Sequence, residues 1–161
     1  MLFLLATPEY NNAQANTTKV RVHLRNGIAE IFDKHQDLMG KVENNLIEIE
    51  TNFENKIEKS AFVLQDAVFI VSNKGLDGTA ENAETCIYVY AKRVKEINKT
   101  TSMDDLSQQY EKTNTLLEKE IAKVGEKVDP ANKVLNSKIL LLQQDVEFFR
   151  KALVIVKEMK S

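Results

Sequence analysis

Apolar and polar residues alternate along roughly the first ninety positions, the period of a β-strand with one buried face. Residues 2–6 (LFLLA) predict a short strand that stops at Thr7-Pro8-Glu9, because proline has no N–H to give a ladder. Residues 10–18 (YNNAQANTT) are polar and predict a loop. Alternation resumes at 19–25, with Val20, Val22 and Leu24 on one face and Arg21, His23 and Arg25 on the other. Asn26-Gly27 tolerates the positive φ of a tight turn, and 28–32 is the partner strand. Asn44-Asn45 and residues 52–55 are turns that bound strands at 46–51 and 56–64. Gln65-Asp66 then separates a strand at 67–72, a loop fills 73–84, and 85–91 is the last strand. About seven or eight short strands at hairpin spacing predict an antiparallel β-sandwich or barrel.

The period changes near residue 92. Ser102 and Asp105 form a helix start, a hydroxyl cap with an acid three residues on. Leu106, Tyr110, Thr113, Leu117, Ile121 and Val124 then recur at spacings of three and four, one narrow stripe that ends at Gly125. Asp129-Pro130 predicts a second helix, with an acid cap and proline in the first turn. Its stripe takes Val134, Leu135, the stem of Lys138, Leu142, Val146, Phe149, Leu153 and Val156, widened by Leu141, Phe148, Val154 and Ile155. The short connection makes the helices antiparallel neighbours. The expected organisation is a β-sandwich domain at 1–91, a linker at 92–101 and an antiparallel α-helical hairpin at 102–161. Helix two has more apolar surface than helix one can cover, so the surplus must meet the β domain or another chain.

Composition narrows the function classes. Of 161 residues, 43% are hydrophobic and 29% charged, which suits a folded soluble chain. The net charge of −2 is spread along the sequence, and Lys greatly outnumbers Arg, so no basic field invites nucleic acid. The apolar start MLFLLA is too short for a secretory leader, and no stretch approaches the ~20 apolar residues of a membrane span, so direct membrane insertion is not expected. The single cysteine, Cys86, excludes an internal disulfide and reads as a buried thiol in a strand.

Candidate chemistry is sparse. His23 falls on a polar strand face and His35 lies in IFDKHQDLMGKV (31–42). Two histidines and one cysteine without close pairing do not make a zinc set, so no metal is expected. Asp33 and Asp37 flank His35 at two-residue spacing, an arrangement that holds an imidazole, but no nucleophile motif accompanies it. No catalytic residue is assigned, and His35 is taken as a hydrogen-bonded turn or interface residue.

The order of elements resembles the epsilon subunit of F-type ATP synthases, the delta subunit of the mitochondrial enzyme. Thr7-Pro8-Glu9 after an apolar strand is similar to the family's opening. His35 and Leu38 occupy the His and Leu of its Pro-Gly-His-Ala-Pro-Leu segment, without the prolines and glycine. Residues 45–49 and the pair 60–64 and 67–69 resemble its next strands, with Gln65-Asp66 in place of glycines, and Ala91-Lys92-Arg93 resembles its Ala-x-Arg run. Longer loops and lost turn residues suggest a diverged lineage, and the Asn- and Lys-rich usage is compatible with an AT-rich bacterial genome.

The resemblance implies a non-catalytic central-stalk subunit of an F-type or F-type-like rotary ATPase. Its partners would be a gamma-like subunit, an alpha/beta-like catalytic head reached by the helical hairpin, and a c-ring facing the β domain. It would lie in the cytoplasm, peripheral on the inner face of the cell membrane. Members that bind ATP carry roughly Ile-Asp-x-x-Arg-Ala near helix one; at Ile97–Thr101 the acid and arginine are missing, so no cofactor is expected. The interface is expected from the His35–Val42 segment, with anchors at His35, Leu38, Met39 and Val42, together with one apolar sandwich face, and from Phe148, Phe149 and Val156 on helix two. Alternatives are a specialised motor without a proton channel, or a free β-sandwich adaptor.

Overall fold

A computed structural model describes residues 1–9, 11–74, 84–98, 100–126 and 133–161. The strands are β1 (Leu2–Ala6), β2 (Asn11–Asn16), β3 (Lys19–Leu24), β4 (Gly27–Ile31), β5 (Leu38–Val42), β6 (Asn45–Phe53), β7 (Lys56–Ser72) and β8 (Cys86–Ile97). Two helices follow, α1 (Met103–Glu126) and α2 (Lys133–Lys160). The chain divides into Met1–Asn98 and Lys99–Ser161.

The strands run β2-β1-β8-β7-β6-β3-β4, with β5 also on β7. All pairs are antiparallel except β1 with β8, which is parallel. Gln65-Asp66 is a corner inside one long strand, not a gap between two. Before it the core-facing residues of β7 are Phe62 and Leu64; after it they are Ala67, Phe69 and Val71. The change from even to odd numbers is a switch of face, and Asp66 makes it with a φ of 47°. Its neighbours turn over at the same level. Val42 of β5 and Ile47 of β6 flank Asn44, which has a φ of 44°, and β8 passes from Ala91 to Val94. The bend folds the sheet into two layers over one core, to which β7 and β8 contribute on both sides. Phe3, Leu5, Val20, Val22, Ile31, Val42, Ile47, Phe69 and Ile87 fill that core. Each such side chain taken from water contributes on the order of 1.5–3 kcal/mol before entropy is subtracted.

Three further strand expectations change. Residues 11–16 are strand β2, because β1 offers a paired edge from Leu2 to Ala6. β8 runs past residue 91 to Ile97, since Ala61 to Gln65 of β7 continue to pair with it. Phe32 lies beyond the end of β4.

In the helical unit, the Asp105 N–H donates to Ser102 Oγ at 3.2 Å, the expected cap. The helices are antiparallel: Lys138 reaches Glu120, and Lys160 reaches the Thr101 carbonyl near the opposite end. Leu106 and Leu117 are buried and Tyr110, Thr113 and Val124 half-buried. Glu120, not Ile121, continues the covered stripe; Ile121 is exposed. Lys138 therefore faces α1 with its ammonium and not only its stem. The expected Asp129-Pro130 start lies outside the described residues.

Candidate interaction surface

The loop between β4 and β5 is fixed by side chains rather than by regular structure. The His35 N–H donates to the Phe32 carbonyl at 3.1 Å, and Lys34 holds a φ of 61°. Buried Thr85 sits at the centre: its Oγ accepts from the Lys34 N–H at 2.8 Å and donates to Asn73 Oδ1 at 2.7 Å. Asn73 returns its amide to the His35 carbonyl and to Asp37 Oδ1, and Asp37 also accepts the Asn73 N–H at 3.0 Å. The His35 ring makes a 2.8 Å contact from Nδ1 to the Gln36 carbonyl. So His35 and Asp37 are tied to the end of β7 and the start of β8, and hold Leu38 at the entry to β5.

From that point the register sets out an apolar row. Met39 stands opposite Ile70, Ile70 opposite Tyr88, and Tyr88 opposite Leu4. One step along, Lys41, Val68, Tyr90 and Ala6 form a parallel row. These residues alternate with the core positions Phe69, Val71, Ile87, Val89, Phe3 and Leu5, so they point out of the sandwich. Met39 is 72% exposed and Tyr90 56%. Burial raises the Tyr88 phenol above the ordinary tyrosine value, helped by a hydrogen bond with the Cys86 thiol. The rim has an ion pair, Lys41 Nζ to Glu43 Oε1 at 3.0 Å.

The outer side of β3, β4 and β6 is built differently. Lys19 and Arg21 both reach Glu30, while Arg21 and His23 reach Glu48, the last at 2.8 Å. Lys59 adds a contact to Glu50. That face pairs its charges along the strands, although Ile28 and Ile57 are also exposed on it, whereas among the described residues no ion pair is seen along the Met39 row.

The expected anchors fall into separate environments. Met39 is the most exposed of them, Leu38 is half-buried against the core, and Val42 is fully inside it. Phe148 and Val156 are buried, and Phe149 is half-buried and edge-on to Phe148. Among the described residues of the hairpin, the large exposed apolar side chains are instead Leu116, Ile121, Leu140, Leu141, Val154 and Met159. An apolar sandwich face is expected at the interface, but the sequence does not single out Ile70, Val68, Tyr88, Tyr90 and Leu4 on it; the signal it offers is that AVFIVS and CIYVYA are apolar on both strand faces. Among the described residues no cluster of three or more His, Cys, Asp or Glu side chains is placed to hold a metal, and no helix is long and apolar enough to cross a membrane.

No protein-family model matches the chain, and no curated protein matches it by sequence. Its fold is similar to that of a chain in the Euglena gracilis mitochondrial ATP synthase assembly of OSCP, F1 and c-ring. There the TM-score is 0.58 at 11% identity, over 96% of this chain and 79% of that one. It is also similar to a chain in the central stalk and c-ring of the Tetrahymena thermophila mitochondrial ATP synthase. That match has a TM-score of 0.50 at 14% identity, over 94% of this chain and 95% of the other.

Proposed function

We propose that the chain is a non-catalytic central-stalk subunit of an F-type or F-type-like rotary ATPase. The outer face of β5, β7, β8 and β1 grips a gamma-like subunit. The carrying observation is the row Met39, Ile70, Tyr88 and Leu4: apolar side chains on rigid, hydrogen-bonded strands, beside an opposite face whose charges are already paired. Interfaces draw most of their energy from a few buried apolar and aromatic anchors, and Met39, Tyr88 and Tyr90 supply that set. The likeness in fold to chains of two ATP synthase assemblies supports the reading. In it, Leu38 and Val42 hold β5 from inside and His35 fixes the loop that leads to Met39. That loop faces the ring of c subunits where one is present. The hairpin meets the alpha- and beta-like head through α2, Phe149 and the exposed Leu140 and Leu141 included. The subunit carries no cofactor and is peripheral to the membrane through its complex.

The test is recovery of complexes from native cells through an affinity tag on the full chain. Wild type is expected to bring alpha-, beta- and gamma-like subunits, and Met39→Lys to lose them while its own thermal unfolding stays unchanged. Ring subunits in the eluate distinguish a synthase from a motor without a proton channel. A folded wild-type bait that recovers none of the three head and stalk subunits refutes the assignment.

A further inference from the structure

We infer that β2 is a docking edge, and that the partner held on the Met39 face adds one extended strand to it. The inference rests on the stalk reading only for the identity of that partner. The edge itself follows from the register.

The Thr17 N–H donates to the Met1 carbonyl at 2.8 Å, and the Met1 ammonium donates back to the Thr17 carbonyl at 3.1 Å. Met1 and Thr17 are thus a bonded pair. In an antiparallel ladder bonded and non-bonded pairs alternate. Phe3 with Ala15 and Leu5 with Ala13 are therefore bonded pairs, and Leu2 with Asn16 and Leu4 with Gln14 are not. The Leu2 N–H confirms this parity by donating to the Thr85 carbonyl on the other side, at 2.9 Å. It follows that the backbone N–H and C=O groups of Gln14 and Asn16 point away from β1. Among the described residues no strand pairs there, since β2 ends the sheet.

Natural edges are blunted by charged side chains and Pro, or by bulges, and β2 lacks the first two along its length. Residues 11–18 contain no charge and no proline. β2 carries one bulged residue, Asn12, between Ala13 opposite Leu5 and Asn11 opposite Ala6; Gln14 and Asn16 lie in the regular register beyond it. The side chains add a shape requirement. Ala13 and Ala15 face the core side and are only half-buried, so they leave room beside the core for larger neighbours. Gln14 lies opposite Leu4 and so continues the Met39 row to the sheet's end. The occupant this selects is an extended, uncharged segment. Its alternate large apolar residues pack beside Ala13 and Ala15, and its other residues lie level with Gln14.

The probe is a short end-blocked peptide of alternating valine and threonine, added to the full-length chain, with amide exchange read residue by residue. Exchange at Gln14 and Asn16 is expected to slow by about threefold or more. The slowing is expected to vanish when the peptide is N-methylated at the amides facing β2. Gln14→Pro should abolish it too, since it removes an outward N–H without touching the β1 ladder. Unchanged exchange, or equal slowing by the N-methylated peptide, overturns the edge. So does slowing that rises with protein concentration alone, which identifies a second copy as the occupant. These outcomes do not depend on the Met39→Lys copurification, which tests the stalk reading separately.

Discussion

Gly40 shows how one residue sets the position of the contact strand. It sits in β5 opposite Phe69, and a Cβ there would lie 2.4 Å from one edge carbon of the Phe69 ring and 2.7 Å from another. That ring is core, so it cannot swing into water to make way. Gly40→Ala is expected to destabilise the β domain by about 1–3 kcal/mol. Adding Phe69→Leu should cost less than the sum of the two single changes, because the smaller side chain relieves the clash. Urea unfolding of the four proteins checks this; strict additivity refutes it. Thr85 has the same local character. Thr85→Val keeps the shape but leaves the Lys34 N–H and Asn73 Oδ1 without their partner, a loss of roughly 1–3 kcal/mol. Faster amide exchange confined first to residues 32–38 is the expected signature.

Among the elements, those with large alternating side chains were legible and those defined by partners were not. Val20, Val22 and Leu24 announce β3, and Ser102 with Asp105 announces α1. β2 has only Ala13 and Ala15 for its inner face, too little apolar contrast to separate a strand from a loop; its pairing with β1 decides. Gln65-Asp66 carries a turn signal correctly, but the turn is a corner within β7. Residue type also fails to separate core from interface, which is why Val42, Phe148 and Val156 were grouped with exposed Met39. In the hairpin, Glu120 takes a stripe position that an apolar count gives to Ile121. Lys123 and then Lys138 donate to it, and these hydrogen bonds hold its carboxyl below the usual carboxylate value. The folded value being below the unfolded one, its stabilisation is complete above the unfolded value and is lost as pH falls through the folded one. Helix content in thermal melts should therefore fall towards acid more steeply in wild type than in Glu120→Gln; parallel pH profiles exclude the link. The β6–β7 turn offers the reverse case. Glu54 and Asn55 hold φ of 49° and 62° without glycine, so an Asn-Gly turn there should raise stability by about 0.5–1 kcal/mol in urea unfolding.

For the whole molecule, the division at Asn98 and Lys99 separates the strand unit from the helical one. Every member of the core cluster, from Phe3 to Ala91, precedes it, and so does each residue of the Met39 row. The hairpin has a narrower resource: among its described residues Leu106, Leu117, Phe148, Ala152, Ile155 and Val156 are buried, with charged Glu120 in the same covered stripe, and two helices with so few buried side chains are marginal. If the chain has the stalk role proposed above, a fragment of residues 1–98 is expected to unfold cooperatively and still recover a gamma-like subunit from native cells. A fragment of residues 99–161 should show partial helix content, a broad melt and no such recovery. The comparison decides where the grip resides, because the two fragments share no residue. Recovery by 99–161 but not by a folded 1–98 would move the principal interface from the strands to the helices and leave the Met39 face without its assigned role. Recovery by 1–98 alone would leave the hairpin free to act on the head without being needed for assembly. On the proposed stalk role, loss of ATPase regulation with the complex intact is then the expected effect of deleting 99–161.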